Sequence, residues 1–509
     1  MPNISGRNTS RRPPFLPSLV VLATLAALLL PFRAPAQAPK SFVIVGADVA
    51  DGSGAPLVRA NVRVLGDRIA RVGNFTPDAG EAVVDGKGLV LAPGFIDTHN
   101  HSDRGLEGDR LAESQISQGL TTLLLGQDGG SPWPIGEWLD KFRSDPPALN
   151  FLMLVGHATV RRKVMGDDFR RPARPEEVAQ MAQLVEQGMR EGAVGLSSGL
   201  EYEVGSYSAT EEVVAMSRVA GRYGGFYISH IRDEADRSFE AMRELLQIGR
   251  EAGLPVQNTH IKIATVGVWN RAGEVAAMYD AARHAGQDVT ADCYPYDAWH
   301  SNFKVLVPNK QYEDPASVSK AIADIGGPQN LLISTFKPHP EYEDRTLEEV
   351  AKSKGITPTE LLIQIIRDGD GSVIGKGMME ADIRTFYAQP WVMVSSDGGI
   401  GTKHPRGAGT FPRVLGRLVR EWHWLTLPEA VRRMTSLPAW RLKLMDRGLV
   451  REAMVADLVL FNPQTVIDRS TFTEPEKLSE GIDKVYVSGV LVWDHDHATG
   501  ARPGRVLPK

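Results

Sequence analysis

Between about residues 93 and 445 the chain alternates short apolar runs with stretches whose apolar residues recur at helical spacing, the pattern of a parallel α/β fold. The apolar runs end near His99 and His101, and then at Thr121–Gly126, Phe151–Gly156, Ala193–Ser198, Phe226–His230, Val256–His260, Val289–Tyr296 and Val392–Asp397. Helical patterns at Pro175–Arg190, Thr210–Tyr223 and Phe239–Ala252 lie between them, and Pro175 and Thr210 are suitable helix starts. Eight such strand–helix units predict a closed (β/α)8 TIM-like barrel. The flanks read differently. Residues 39–92 and 446–509 hold short strand patterns separated by glycine-containing turns: Phe42–Val45, Ala60–Leu65 and Arg68–Val72 on one side, Ala456–Phe461 and Val485–Val492 on the other. They predict a small β-sandwich domain built from both termini. One connection, about 298–390, is too long for a structureless loop. It should carry its own elements, with helices at Leu347–Ser353 and Pro358–Arg367, and cover the mouth of the barrel.

Residues 1–38 read as a cleavable signal peptide rather than as part of the fold. Arg7, Arg11 and Arg12 precede an apolar run from Leu19 to Leu30, and small-residue cleavage patterns follow at Ala34-Pro35-Ala36 and Ala36-Gln37-Ala38. The run is short for a membrane span. Ser10-Arg11-Arg12-Pro13-Pro14-Phe15-Leu16 is similar to a twin-arginine signal, so the expectation is an exported protein, periplasmic or secreted, with no stable membrane partner.

The 509 residues are 42% hydrophobic and 23% charged, ordinary for a globular chain of this size. A net charge of −5 provides no basic field for nucleic acid. With Cys293 as the single cysteine, an internal disulfide and a cysteine-rich zinc site are both excluded. Any metal must rest mainly on His, Asp or Glu.

Active sites of such barrels lie at the carboxyl ends of the strands. Here those ends carry His99 and His101, Gln127 and Asp128, His157, Glu201, His230, His260, Tyr294 and Asp397. His99 and His101, two residues apart on one strand face, can reach one ion; His230 and His260, on consecutive strands, can hold a second. A carboxylate at Asp397 can touch metal and accept a proton from an activated water. The chemistry that suits such a centre is attack of hydroxide on a polarised carbonyl.

Several motifs carry a closer likeness. They are Gly94-Phe95-Ile96-Asp97-Thr98-His99-Asn100-His101, Gly192–Leu200, Ser229-His230-Ile231-Arg232-Asp233-Glu234, Thr259-His260-Ile261-Lys262 and Asp292-Cys293-Tyr294-Pro295-Tyr296. Ser395-Ser396-Asp397-Gly398, His404-Pro405-Arg406, Gly409-Thr410-Phe411-Pro412-Arg413 and the closing Thr499–Arg505 complete the set. From about residue 41 to its end the chain resembles the amidohydrolase superfamily, and within it the D-aminoacylase (N-acyl-D-amino-acid deacylase) group. The resemblance implies Zn2+, as one or two ions, held by His99, His101, His230, His260 and Asp397, with Asp397 as general base and acid. It also implies substrate contacts from Lys262, Tyr294 and Arg406. The activity implied is hydrolysis of a linear amide, N-acyl-D-amino acids above all, on a small molecule with a free carboxylate.

Two departures qualify that pattern. Where the group has a ligating cysteine after the second strand, this chain reads Gly126-Gln127-Asp128-Gly129-Gly130, and Asp128 is expected as the replacement ligand, with Glu201 as a rival bridge. Asp297-Ala298-Trp299-His300-Ser301 is bulkier than its counterpart, so His300 should line a reshaped substrate pocket. A dipeptidase or a cyclic-amide hydrolase of the hydantoinase kind on the same scaffold is the alternative, and a non-catalytic scaffold protein a remote one. His157 is expected at the rim or behind the site, and His495-Asp496-His497 in a solvated turn.

Overall fold

The computed structural model describes residues 41–369 and 371–508; the expected signal peptide lies outside them. The central strands are β1 (Phe95–Asp97), β2 (Leu120–Leu125), β3 (Asn150–Met153), β4 (Val155–Gly156), β5 (Leu196–Gly199), β6 (Tyr227–His230), β7 (Val256–Asn258), β8 (Val289–Cys293) and β9 (Val392–Val394). All pair in parallel, but as two sheets: β1-β2-β3, and β4-β5-β6-β7-β8-β9. The expected single closed ladder is therefore not what the hydrogen bonds form.

The reason lies in the third strand expected, which is divided at Leu154. Below that residue the free edge of β3 is occupied by the C-terminal tail: Phe151 N donates to Arg505 O at 3.0 Å, Leu507 N donates to Phe151 O at 2.9 Å, and Val506 forms a parallel bridge to Phe151. Gly504 makes this approach possible, because a Cβ there would collide with the Leu149 carbonyl. Above Leu154 the chain turns to β5, with Val155 N donating to Gly195 O at 3.0 Å. At the other joint, β1 meets β9 through Asp397 N to His99 O (3.0 Å), His101 N to Gly398 O (2.7 Å) and an Asn100–Gly398 bridge.

Helices Pro175–Glu191, Thr210–Arg222 and Ser238–Ala252 separate successive strands. The first illustrates why: Pro175 opens it, Arg174 N donates to the Glu177 carboxylate at 2.7 Å, and Gly192 ends it at φ 120°. The strand interiors are almost continuously apolar because both of their faces are covered.

The terminal strands form one mixed nine-stranded sheet, in which Val90–Pro93 pairs with Leu458–Phe461 and so joins the two ends of the chain. The sheet curls strongly. Phe42 and Tyr486 stack with ring centroids 4.9 Å apart although two strands separate theirs in the sheet order. Its inner face has its own core, including Ile44, Val62, Leu91, Leu458 and Tyr486.

The segment between β8 and β9 folds into a four-stranded antiparallel sheet (Trp299–Asn302, Leu331–Phe336, Arg345–Thr346 and Gly371–Gly375). Helices Pro315–Asp324, Leu347–Lys354 and Pro358–Asp368 pack on it around a separate apolar core. Among the described residues no helix is long and apolar enough to cross a membrane.

Asp457, just before the strand Leu458–Phe461, ties the terminal sheet to the parallel strands. It accepts from Asn150 Nδ2 (3.0 Å), Arg447 Nε (2.9 Å) and Ser488 N (2.7 Å), all buried. Asp457→Ala leaves a buried guanidinium and a buried N–H without their partner, and should cost about 3–5 kcal/mol. Urea unfolding followed by circular dichroism checks this; a loss below about 1 kcal/mol would show that the two parts do not depend on this joint.

Candidate metal centre

The strand tips converge on one buried space. His99 and His101 follow β1 and present their Nε2 atoms 3.1 Å apart. Asp397, after β9, brings Oδ1 to 3.3 Å from each of them. Asp128, after β2, faces the same point, with Oδ1 3.7 Å from His99 Nε2 and 3.6 Å from His260 Nε2, and Oδ2 3.4 Å from His101 Nε2. His230, at the end of β6, sets Nδ1 3.1 Å from His260 Nε2. The ligand-capable atoms of His99, Asp128, His260 and Asp397 lie within 4.8 Å of one another, and so do those of His230, Glu234 and His260. The two groups share His260.

This donor set fits a divalent cation. Asp128 Oδ1 is buried with no hydrogen-bond partner, although imidazole nitrogens surround it. The ligands are nitrogen and oxygen only, as zinc accepts. Asp128, His260 and Asp397 have φ of 55°, 34° and 48°, a left-handed backbone that non-glycine residues rarely adopt. All three are ligand candidates, which is where such strain concentrates.

A second layer fixes the rings. Thr259 Oγ1 hydrogen-bonds His99 Nδ1 and donates to Asp292 Oδ1 at 3.1 Å. Asp292 also accepts from His260 N (2.8 Å), Gln257 Nε2 (2.6 Å) and Ser395 Oγ (2.5 Å). Asp97 does the same across the β1–β9 joint, accepting from Ser396 N (3.0 Å), Ser396 Oγ (2.5 Å) and Asn100 Nδ2 (2.9 Å). Burial raises the Asp97 carboxyl to about 6, even against these donors.

The electrostatics of the cluster follow from burial and proximity. Burial alone would raise the carboxyls of Asp128 and Asp397, but the imidazoles of His99, His101 and His260 hold Asp128 well below its usual range. Arg406, His260 and His99 do so for Asp397. Burial would lower the imidazoles, and it prevails at His99. At His101 the hydrogen bonds to Asp128 and Asp397 prevail, raising it to about 9. At His260 burial and Lys262 are outweighed by Glu234, Asp397 and Asp128, which raise it to about 10.

The residues expected to meet substrate are placed less uniformly. Arg406 Nη1 pairs with Asp397 Oδ2 at 2.8 Å, while its Nε is buried without a hydrogen-bond partner. Its guanidinium lies over the Tyr294 ring, 4.8 Å from the centroid. Tyr294 Oη is buried and unpartnered; burial raises its pKa well above the usual value, so it remains a donor. His300 Nε2 is likewise unpartnered, and burial with the nearby Arg406 lowers that imidazole to about 3. Lys262 is committed elsewhere: Nζ binds Glu234 at 2.7 and 2.8 Å and His260 Nδ1 at 2.7 Å. It props a ligand histidine as well as lining the cavity. Its distance to the Tyr294 centroid is 5.7 Å.

Glu201 accepts from or donates to His230 Nε2 at 2.7 Å and accepts from Glu234 N at 3.3 Å, so it supports His230 from outside the first group. Asp128, which faces both groups, occupies the bridging position. His157 is held by Glu212 (2.9 Å) beside Arg161, away from the cluster, and His495 and His497 are exposed. Glu234 was not among the sequence candidates; its place four residues after His230, just past a strand tip, was the available signal. His404 was not singled out either. Its Nδ1 accepts from Arg406 N at 3.1 Å and its Nε2 donates to Ala298 O at 3.2 Å, joining Arg406 to the segment after β8.

Zinc binding requires neutral imidazoles. In protein stripped by a chelator, His101 and His260 hold protons up to about pH 9 and 10, so zinc uptake should release one to two protons at pH 7.5, and affinity should rise as pH climbs from 6 to 9. Calorimetric titration in buffers of different ionisation enthalpy measures this. Uptake without proton release would mean these imidazoles are not ligands.

The amidohydrolase family model matches residues 82–493. The D-aminoacylase of Alcaligenes xylosoxydans xylosoxydans is 36% identical over 92% of this chain and 98% of that relative, and its N-acyl-D-aspartate deacylase is 36% identical over 93% and 96%. Among solved structures, an N-acyl-D-glutamate deacylase from Bordetella bronchiseptica, complexed with zinc and a phosphonate inhibitor, superposes with a TM-score of 0.83 at 33% identity, covering 92% of this chain and 99% of that one. Strand-tip geometry and likeness along the whole described chain agree: the protein belongs to the amidohydrolase family, in its D-aminoacylase group.

Proposed function

We propose that this chain is a zinc-dependent hydrolase that cleaves N-acyl-D-amino acids to a D-amino acid and a carboxylate. The observation that carries the reading is the pairing of two features in one buried site: a carboxylate–imidazole cluster sized for metal, and unpartnered donors on Arg406 and Tyr294 beside it. The D-configuration rests on the relatives.

His99, His101, Asp128, His230, His260 and Asp397 would hold one or two zinc ions. When bound, zinc supplies Lewis acidity that polarises the amide carbonyl and eases deprotonation of water. Asp397 is arranged for two tasks. Its Oδ2 is pinned by Arg406, and its Oδ1 faces the imidazoles, where it takes a proton from the attacking water and hands it to the leaving nitrogen. One C–O bond forms, the C–N bond breaks, and the amine leaves neutral. Arg406 Nε and Tyr294 Oη receive the substrate's α-carboxylate, a charge-assisted contact that fixes orientation. Lys262 and Glu234 hold His260 in place.

The central strands are read as a (β/α)8 barrel, supported by the β1–β9 hydrogen bonds and the turn at Leu154, and the curled terminal sheet as the two layers of a sandwich. The domain limits follow the sequence reading: 39–92 with 446–509 for the small domain, 93–445 for the barrel, and 298–390 for its insertion. Residues 1–38 are proposed as an export signal; a full-length tagged chain expressed in a Gram-negative host should appear in the periplasmic fraction without them, and retention of the whole chain in the cytosol would refute export.

Purified zinc-loaded protein should release amine from N-acetyl-D-amino acids and not from their L-enantiomers. Release only from the L-forms, or turnover of hydantoins instead, would sink the deacylase reading. Asp397→Asn should lower kcat about 10²–10⁴-fold, the range of a lost acid–base group. Arg406→Lys, which cannot offer a planar fork, should raise KM more than it lowers kcat.

A further inference from the structure

The cavity in front of the metal cluster has a volume of about 610 Å3. One wall is the cluster itself: His230, His260, Glu234 and Asp397. The facing wall belongs to the segment inserted between β8 and β9 and is apolar, with Trp299, Val305, Leu306, Ala321 and Ile325. It is also firmly held. Leu306, Ala321 and Ile325 belong to the insertion's own core. The Trp299 indole lies across two glycines: a Cβ at Gly375 would overlap it, and one at Gly377 would come within 3.1 Å of its Nε1.

Charge is distributed unevenly around this space. Lys262 is the only lysine or arginine among the described residues lining it, and its ammonium is already bound by both oxygens of Glu234 and by His260. The lining carboxylates outside the metal groups are also engaged: Glu201 with His230, and Asp324 with Lys320. Once an α-carboxylate occupies Arg406 and Tyr294, no free cation remains for a second one, and no free carboxylate for an amine. A charged substrate side chain buried here would lack a partner, whereas an aliphatic or aromatic one would replace water against the apolar wall.

Building on the deacylase reading, we infer that this site selects N-acyl-D-amino acids whose side chain is apolar, such as leucine or phenylalanine, and rejects acidic ones. Overall likeness does not decide the matter, since relatives named for D-amino acids at large and for D-aspartate are equally similar at 36% identity. The inserted wall does. Its discrimination is part attraction and part the penalty it imposes on an unpaired charge. Val305 and Ser301, half-buried on that wall, are the positions from which a new cation would reach the cavity.

The test compares amine release by zinc-loaded full-length protein from N-acetyl-D-leucine, N-acetyl-D-phenylalanine, N-acetyl-D-aspartate and N-acetyl-D-glutamate. The expected result is a kcat/KM at least about a hundredfold higher for the two apolar substrates than for the two acidic ones. Equal turnover, or a preference for either acidic substrate, overturns the inference. No turnover of any of the four is a different failure, that of the deacylase reading, and it removes this inference with it. Val305→Arg should narrow the leucine-to-glutamate ratio at least tenfold. Should that variant not fold, as judged by its zinc content and circular dichroism, Ser301→Lys makes the same test. A folded variant with an unchanged ratio would show that the inserted wall does not set the preference.

Discussion

Burial of two carboxylates, Asp128 and Asp397, among three imidazoles is the constraint around which the rest of this molecule is arranged. Ligand atoms held within 4.8 Å of one another, shielded from water, are a costly arrangement for a folded chain unless a cation joins them. The fold resists their separation with backbone rather than with side chains alone. His99 O and His101 N are both engaged with residues after β9, and His260 N is engaged with Asp292. Each ligand therefore sits at a hydrogen-bonded joint between strands, where a shift of one tip would break several bonds together.

The left-handed backbone at Asp128, His260 and Asp397 belongs to the same arrangement. A strand that continued straight would alternate its side chains between barrel interior and exterior. A residue with positive φ at the tip breaks that alternation and turns its side chain back over the barrel mouth. Each such residue costs of order 1–3 kcal/mol and persists only where its surroundings over-determine it. Here the surroundings include two further buried carboxylates, Asp97 and Asp292, neither paired with a lysine or arginine; each is satisfied by hydroxyl, amide and backbone donors. They orient the ligand tips without competing for the same cation, in the manner of outer-shell partners of metal sites.

Much of this could be read from the sequence because the parallel strands are short apolar runs with polar tips, and a polar residue at a buried tip has little reason to be there except chemistry. His99, His101, His230, His260 and Asp397 all carried that signal, and Asp128 carried it through its place after the second strand. What escaped was of two kinds. Pairing between side chains distant in sequence leaves no local trace: Lys262 reads as a free cation, yet Glu234 occupies it, and Arg406 reads as a carboxylate clamp, yet it also pins Asp397. Sheet order at the ends of the chain was the other. Period-two alternation marks the terminal strands but does not say that they join into one curled sheet, nor that Val506 would take the edge of β3 and divide the parallel ladder at Leu154. The closing Thr499–Arg505 motif was visible as a likeness; its proximity to Gly504 and the β3 edge gives it a physical task.

The inserted segment separates two demands that a single scaffold would otherwise have to reconcile. Metal ligands require rigid strand tips and tolerate little change, whereas a pocket for a substrate side chain must be free to vary. The insertion has its own sheet and its own core, so residues on its inner wall can change in size without moving β8 or β9. The two parts are joined close to the chemistry by His404, which receives Arg406 N on one nitrogen and donates to Ala298 O with the other. Burial and the adjacent Arg406 keep this imidazole neutral, so it can serve as donor and acceptor at once, which a protonated ring could not. The guanidinium that orients Asp397 is thereby tied to the first residues of the wall that would face the substrate's side chain. Recognition and proton transfer are set in register by a residue that belongs to neither.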